Sequence, residues 1–136
     1  MVIWNEKFAT GSSIIDAHHQ LLINHINELE MLLSRTNLDR AECESIVSLV
    51  EFLESYAGTH FKFEEQCMER YRCPAHARNQ QEHQQFLEFF RDFKARYQAE
   101  GFRPDLLESL HRMTSAWIQK HILQVDTQLR SCFKGR

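Results

Sequence analysis

Apolar side chains recur every three or four residues along four long stretches of this chain, and little interrupts them. In the first stretch, Leu22, Ile26, Leu29 and Leu33 form one apolar stripe at helical spacing. The 136 residues include only four glycines and two prolines, the residues that most often break helices. The chain is therefore expected to fold as long amphipathic helices and not as a strand-rich domain.

These stretches predict a single all-α domain with an N-terminal arm. Short connections between long helices favour an antiparallel up-down-up-down four-helix bundle. The arm carries Trp4 and Phe8, so we expect it to pack across the bundle and not to remain in solvent. The pattern predicts the arm over about 1–15 and helices over about 16–36, 40–70, 74–99 and 104–132.

Four residues or pairs mark the expected helix starts. Asp16 opens the first helix, and Asp39 with Glu42 three residues later has the spacing of a capping box for the second. Pro74 and Pro104 suit the first turns of the third and fourth helices, because proline lacks only an N–H that a first turn does not use.

Composition argues against several classes of partner. The net charge is −3 without a basic stripe, so neither a nucleic acid nor an anionic membrane is expected as a partner. No apolar run is long enough to span a membrane. The N-terminus lacks the pattern of a signal peptide, so we expect a cytoplasmic protein. Its four cysteines are then expected as reduced thiols, with a redox pair of Cys67 and Cys73 as the alternative.

Histidines and carboxylates fall on the apolar faces of all four predicted helices. His60 and Glu64 are four residues apart, so both side chains leave the same face of the second helix. Burying such groups costs several kcal/mol unless they are paired or ligated. Because imidazole and carboxylate suit first-row metals, the pattern predicts a dinuclear metal site, with hydrogen-bonded core histidines as the alternative. The candidate ligands are His19, His60, Glu64, His83, His121 and Asp126.

Asp126 is expected to approach the metals from its own direction. It follows His121 by five residues, which is about 140° of rotation on an ideal helix. This suits a bridging carboxylate better than a second ligand stacked on the first. The other four histidines do not match ligand positions, and we expect them to face solvent or to support the ligands: His18, His25, His76 and His111.

Apolar side chains also accompany the candidate ligands. Leu22, Trp117 and Ile118 each lie within about one turn of His19 or His121. We expect them to line a dry O2 pocket beside the metals, and the alternative is ordinary core packing.

The order and spacing of these motifs resemble the hemerythrin family, in particular bacterial hemerythrin domains. The resemblance covers nearly the whole chain. The segments that carry it are Trp4…Phe8…Gly11…Ile15-Asp16, Asp16-x-x-His19-x-x-Leu22, His60-Phe61-x-x-Glu64-Glu65-x-x-Met68, Glu82-His83-x-x-Phe86-Leu87 and Trp117-Ile118-x-x-His121-Ile122-x-x-x-Asp126.

The resemblance implies a non-haem di-iron site that binds O2, with an oxo or hydroxo bridge between the irons and with small anions such as azide as further ligands. It assigns His19 and His60 to the iron with the open position. It assigns His83 and His121 to the other iron. Glu64 and Asp126 would then bridge both.

The chain departs from the family pattern on the third helix. There the family has a second histidine four residues before the one that matches His83, and this position is Asn79. His76 is about 10.5 Å from His83 along a helix axis, so the two histidines are too far apart to bind the same iron. The second iron is therefore expected to have two imidazoles instead of three, which favours oxidation over stable O2 carriage.

We therefore expect a sensor of O2 or redox state, the regulatory module of a larger bacterial signalling protein, and not an enzyme by itself. An output domain is expected beyond residues 131–136, since such domains often adjoin chemotaxis receptors or diguanylate cyclases. O2 storage or delivery is the main alternative. A ferritin-like oxidase needs E-x-x-H on two helices, whereas this chain has one such tetrad, Glu108 to His111. A structural zinc site is the remaining alternative.

Overall fold

The computed structural model describes residues 1–35 and 37–134, which contain four long helices, a short fifth helix and no strand. The all-α four-helix bundle expected from the sequence is confirmed. α1 packs against α2 and α4, and α3 packs against the other sides of α2 and α4. The helices are α1 (Ser13–Leu33), α2 (Arg40–Arg70), α3 (His76–Glu100), α4 (Pro104–Gln124) and α5 (Leu129–Lys134), with 3-10 turns at Glu6–Phe8 and Asp126–Gln128.

The first helix begins earlier than expected, because Ser12 and not Asp16 caps it. The Ser12 hydroxyl accepts a hydrogen bond from the N–H of Ile15. The Asp16 carboxylate instead accepts hydrogen bonds from the backbone N–H and the hydroxyl of Thr10, at 2.9 and 2.8 Å, and so holds the arm. The predicted end of this helix at residue 36 lies outside the described residues.

The next three helices begin where the sequence predicts, except for the helix that was expected to begin at Pro74. Asp39 and Glu42 form the capping box of α2, and Pro104 occupies the first turn of α4. Pro74 instead lies in the turn between α2 and α3, and α3 begins at His76. Arg72 has φ of 50°, and Cys73 N donates to Met68 O, so the chain reverses here before the helix can start.

The fourth predicted helix is interrupted near its end, because α4 ends at Gln124 and α5 begins at Leu129. The Thr127 hydroxyl donates to Leu123 O, and the Gln128 side chain donates to Gln124 O. Side chains therefore bind carbonyls that the next helical turn would otherwise use. Asp126 begins a 3-10 turn, which turns its side chain toward the bundle interior.

The N-terminal arm packs on the bundle as expected. Val2 and Phe8 are buried, and the Asn27 side chain binds both the N–H and the carbonyl of Val2, at 3.0 and 2.8 Å. At the other end of the arm, the Arg130 guanidinium donates to the carbonyls of residues 6, 7 and 9. The arm therefore ties α1 to α5.

A disulfide joins the α2–α3 turn to α5. Cys73 and Cys132 are bonded across a sequence separation of 59, with Cα atoms 5.5 Å apart. Cys43 and Cys67 are the free thiols of the described chain. The expectation of four reduced thiols is thus wrong, and so is the alternative Cys67–Cys73 pair. Sequence could not find this bond, because its partners meet only through the tertiary fold.

Over the described ranges, none of the helices combines the length and the apolar character that crossing a membrane requires.

Candidate metal centre

All six predicted ligands meet inside the bundle. Each helix of the bundle contributes an imidazole, α2 adds a carboxylate, and the 3-10 turn adds another. Their helices place them on apolar faces, so the fold that buries those faces also buries the polar groups. Each is at most 2% exposed: His19, His60, Glu64, His83, His121 and Asp126.

The two carboxylates lie between two pairs of imidazoles. Glu64 Oε2 is 3.1 Å from His19 Nε2 and 3.2 Å from His60 Nε2, whereas Glu64 Oε1 is 3.3 Å from His83 Nε2. One oxygen of Glu64 therefore faces each side of the centre. We call His19 with His60 the His60 half, and we call the opposite side, with His83, His121 and Asn79, the His83 half.

Asp126 has the same divided arrangement. Its Oδ2 lies 3.1 Å from His19 Nε2, in the His60 half. Its Oδ1 lies 3.0 Å from His121 Nε2, in the His83 half. Both carboxylates thus present one oxygen to each half, which is the arrangement that a pair of bridging carboxylates needs.

Asn79 lies among these ligand atoms and is fully buried. Its amide N–H donates to Glu64 Oε1 at 3.1 Å, and its Oδ1 lies 2.9 Å from His121 Nε2. His76 belongs to neither ligand group of the described residues. The helix therefore places Asn79, not His76, at the position where the family pattern has a histidine.

The imidazoles of the His83 half have carboxylate partners on their outer nitrogens. His83 Nδ1 lies 2.8 Å from Glu65 Oε2, and His121 Nδ1 lies 2.8 Å from Glu82 Oε1. Such partners fix the ring and raise its basicity toward a metal. The ligand pattern in the sequence does not by itself predict these roles for Glu65 and Glu82. Each is an acidic residue directly beside a ligand in the chain, and that proximity was the available signal.

Among residues 1–35 and 37–134, no carboxylate binds the outer imidazole nitrogens of the His60 half. His60 Nδ1 lies 3.0 Å from His18 Nδ1. Within the described part of the chain, His19 Nδ1 is buried and has no hydrogen-bond partner. His18 therefore belongs to the supporting class that the sequence suggested for the non-ligand histidines.

Aromatic rings stack on the faces of the imidazoles in the His83 half. The Phe61 ring stacks on His83 with centroids 3.8 Å apart, and the Trp117 ring stacks on His121 at 4.4 Å. Both pairs are within 10° of parallel. The rings restrict imidazole rotation and exclude water, which strengthens electrostatic interactions at the site.

The ion pairs change the proton affinity of the buried groups. Burial opposes charge on His19, but hydrogen bonds with Asp126 and Glu64 outweigh it and raise the pKa of His19 to about 10. Burial likewise opposes charge on His83, but hydrogen bonds with Glu64 and Glu65 raise its pKa to about 9. Burial would raise the pKa of Glu64, yet its imidazole partners hold this pKa well below the usual value of 4.5. Protons and metal ions therefore compete for the same atoms.

The three predicted pocket residues line one small cavity in the bundle. Leu22, Trp117 and Ile118 are among its lining residues, and its volume of about 10 Å³ is close to the least that one water molecule needs. Thr114 also lines the cavity, and its buried hydroxyl has no hydrogen-bond partner among the described residues. The structure brings these residues together, and their role toward O2 stays a prediction.

The donor set fits two metal ions. Asp126 Oδ1 is buried and lies 3.0 Å from His121 Nε2. The contact lacks hydrogen-bond geometry, so this oxygen has no hydrogen-bond donor among the described residues and is available to a metal ion. Imidazole and carboxylate are suitable donors for iron. The potential ligand atoms form two groups, each within 4.8 Å, that share Glu64 and Asp126: His19, His60, Glu64, Asp126 and Glu64, His83, His121, Asp126.

Comparison with known proteins gives one consistent result. The family model for the hemerythrin HHE cation binding domain matches residues 10–131. A bacteriohemerythrin of Stenotrophomonas maltophilia is 27% identical over 122 residues, covering 90% of this chain and 74% of the relative. One of Pseudomonas aeruginosa is 26% identical, with coverage of 92% and 76%. One of Clostridium acetobutylicum is 24% identical, with coverage of 94% and 98%.

Proposed function

The chain belongs to the hemerythrin family, whose members bind a di-iron centre. We propose that this chain senses O2 or redox state. The family and the buried donor cluster fit a di-iron domain that binds O2. When bound, the two irons supply the electrons on which O2 binding draws. We assign His19 and His60 to one iron, His83 and His121 to the other, and Glu64 and Asp126 to both.

The position of Asn79 carries the proposal of a sensor. It is fully buried between Glu64 and His121, where a third imidazole would complete the His83 half. A neutral amide oxygen is a weaker donor than an imidazole nitrogen, and fewer nitrogen donors change the redox balance of the irons. A carrier must resist oxidation, whereas a sensor uses it. We therefore favour sensing over carriage.

O2 storage or delivery is the second candidate, and the apolar cavity is the observation that favours it. Leu22, Trp117 and Ile118 line this cavity, which is about the size of one water molecule. A dry pocket slows the loss of a reduced oxygen species to water. The two candidates differ in how long the protein stays reduced in the presence of O2.

Further parts of the proposal concern the surroundings of the domain. We propose that it acts without catalytic turnover of its own, that small anions such as azide enter the same site, and that a C-terminal signalling domain reads its state. A cytoplasmic location belongs to the proposal too. The Cys73–Cys132 bond is the observation that weighs against it, because disulfides are uncommon in reducing compartments.

The test begins with the metal content of the purified protein and its visible spectrum in air. We expect two irons per chain and the absorption of an oxygen-bridged iron pair. Colourless protein that contains zinc would overturn both the sensor and the storage assignments.

The reduced protein is then mixed with O2 in a stopped-flow instrument. If the protein is a sensor, its irons should be oxidised after one or a few exposures to O2. A reductant should then restore the reduced protein. Full O2 uptake that is released again under vacuum, without oxidation, would favour storage and count against sensing.

A further inference from the structure

The two halves of the metal centre differ in what supports their ligands. In the His83 half, both outer imidazole nitrogens face carboxylates at 2.8 Å. In the His60 half, the outer nitrogen of His60 lies 3.0 Å from Nδ1 of another imidazole, His18. His18 is a neighbour of His19 in sequence, yet it points out of the ligand cluster and onto the back of His60.

The surroundings of His18 fix its ring. The His18 ring is steeply inclined to three neighbouring rings. The distances between ring centroids are 6.0 Å to Tyr56, 5.3 Å to Phe63 and 5.1 Å to His60. All three partner rings come from one face of α2, so they hold the half-buried His18 ring against that helix. The ring therefore presents Nδ1 to His60 as a property of the packing.

Two facing ring nitrogens can bond only if one carries hydrogen and the other does not. His60 directs Nε2 toward Glu64 and the centre, so a metal bound there would take that lone pair and leave the hydrogen on Nδ1. His18 Nδ1 must then be the acceptor. Its contact selects one tautomer and one orientation of His60.

We propose that His18 is the positioning residue of His60, and that the His60 half is the weaker of the two metal sites because an imidazole stands there in place of the carboxylates that support the His83 half. A neutral imidazole accepts the outer hydrogen of His60 but pulls on it less than a carboxylate does, so His60 remains the poorer donor. The carboxylates behind His83 and His121 have the opposite effect and partly offset the missing imidazole at Asn79. This inference rests on the proposed metal centre, but it concerns metal affinity and not O2.

The test is a titration of the metal-free protein with cobalt(II), followed by the visible bands of the bound metal. The native protein should bind two cobalt ions in two resolved steps. His18→Ala should weaken the second step by about tenfold to a hundredfold, the usual effect of removing such a partner, and leave the first within about twofold. His18→Gln should restore the second step, because its amide oxygen also accepts a hydrogen bond.

Two further variants keep the result specific. His25→Ala removes another α1 imidazole, which bonds to Leu21 O and stacks on Phe52, and should change neither step. Glu82→Gln should weaken the first step and leave the second. Equal steps in the native protein, an effect of His18→Ala on both steps or neither, or no rescue by His18→Gln would overturn the inference.

The outcome is separable from the function itself. Two cobalt steps with the expected variant pattern, in a protein whose iron form never reacts with O2, would uphold His18 and reject the sensor. Rapid oxidation by O2 with equal cobalt steps would do the reverse.

Discussion

The His60 half and the His83 half of the centre are equally buried, but different groups support their imidazoles. The His60 half has two imidazoles from α1 and α2, of which one is backed by His18 and the other by no described residue. The His83 half has two imidazoles from α3 and α4, each backed by a carboxylate, and an amide in place of a third ring. A count of ligands therefore understates the difference between two metal sites, because the groups hydrogen-bonded to the ligands differ as well.

The largest effect is expected from Glu64→Ala, which removes the group that joins the halves. Glu64 contacts imidazoles on both sides and also binds Asn79. The iron content should fall from two per chain to one or fewer, as measured by mass spectrometry of metals after anaerobic reconstitution. Glu69→Ala, which removes an exposed carboxylate of the same helix, is the control. Two irons retained by Glu64→Ala would refute the bridging assignment.

Asn79→His should give the His83 half a third imidazole and so change the balance between the halves. We expect slower oxidation by O2, by about tenfold if a strong nitrogen donor is gained. Azide should bind at one iron instead of two. Stopped-flow oxidation and azide titration measure both effects, and thermal melting checks that the larger ring fits the buried position. If the native protein and the variant agree in both measurements, Asn79 is not at the iron and the case for a sensor fails.

The pH dependence of the metal-free protein tests the two halves through His19 and His83. Their folded pKa values, about 10 and about 9, lie above the usual 6.5. Their contribution to stability is therefore present in full below pH 6.5 and is lost as the pH rises through 9 to 10. The lowered pKa of Glu64 gives a contribution that is present above pH 4.5 and is lost in acid.

Unfolding by urea should therefore show the greatest stability of the metal-free protein between about pH 4.5 and 6.5, with a fall of several kcal/mol by pH 10. The stabilisation by added metal should rise over the same alkaline range, because the metal no longer competes with protons. Flat stability from pH 6 to 10 would show that the imidazoles are not paired as the structure has them.

The smallest effect is expected at the cavity. Ile118→Thr places a hydroxyl in its wall and should speed oxidation of the reduced protein a few-fold by admitting water. Ile118→Val removes a methylene without adding polarity and should leave the rate nearly unchanged, at a stability cost of about 1 kcal/mol. The same oxidation rate in native protein and Ile118→Thr, with the fold intact, would leave Ile118 only a packing role.

Much of the centre follows from periodicity, because a helix fixes which residues share a face. His60 and Glu64 could be paired from their spacing alone, and His19 and His83 could be placed inward from the apolar residues that follow them. These inferences need only the rotation per residue, which tertiary packing does not change. Asn79 stands out only through the resemblance to the family pattern, which has a histidine at that position.

Features that depend on contacts between elements could not be predicted in this way. The apolar pattern continues through Val125 and Leu129, which hid the break after Gln124 that frees Asp126 from the helix. Ser12 replaced Asp16 as the first cap because Thr10 binds the Asp16 carboxylate. The pairing of Glu82 with His121 requires the distance between α3 and α4, which no single-helix pattern contains.

The disulfide between Cys73 and Cys132 also divides the ligands by covalent connectivity. Closing a loop across a separation of 59 residues lowers the chain entropy of the unfolded state and so raises its free energy, by about 4 kcal/mol in the simplest treatment. The residues of the His83 half lie within this loop, together with one of the two buried carboxylates, whereas the His60 half and Glu64 lie on the open chain before it. In the unfolded protein the loop keeps the first set at a raised effective concentration, so the two halves differ before any helix has formed. The residues inside the loop are Asn79, His83, His121 and Asp126.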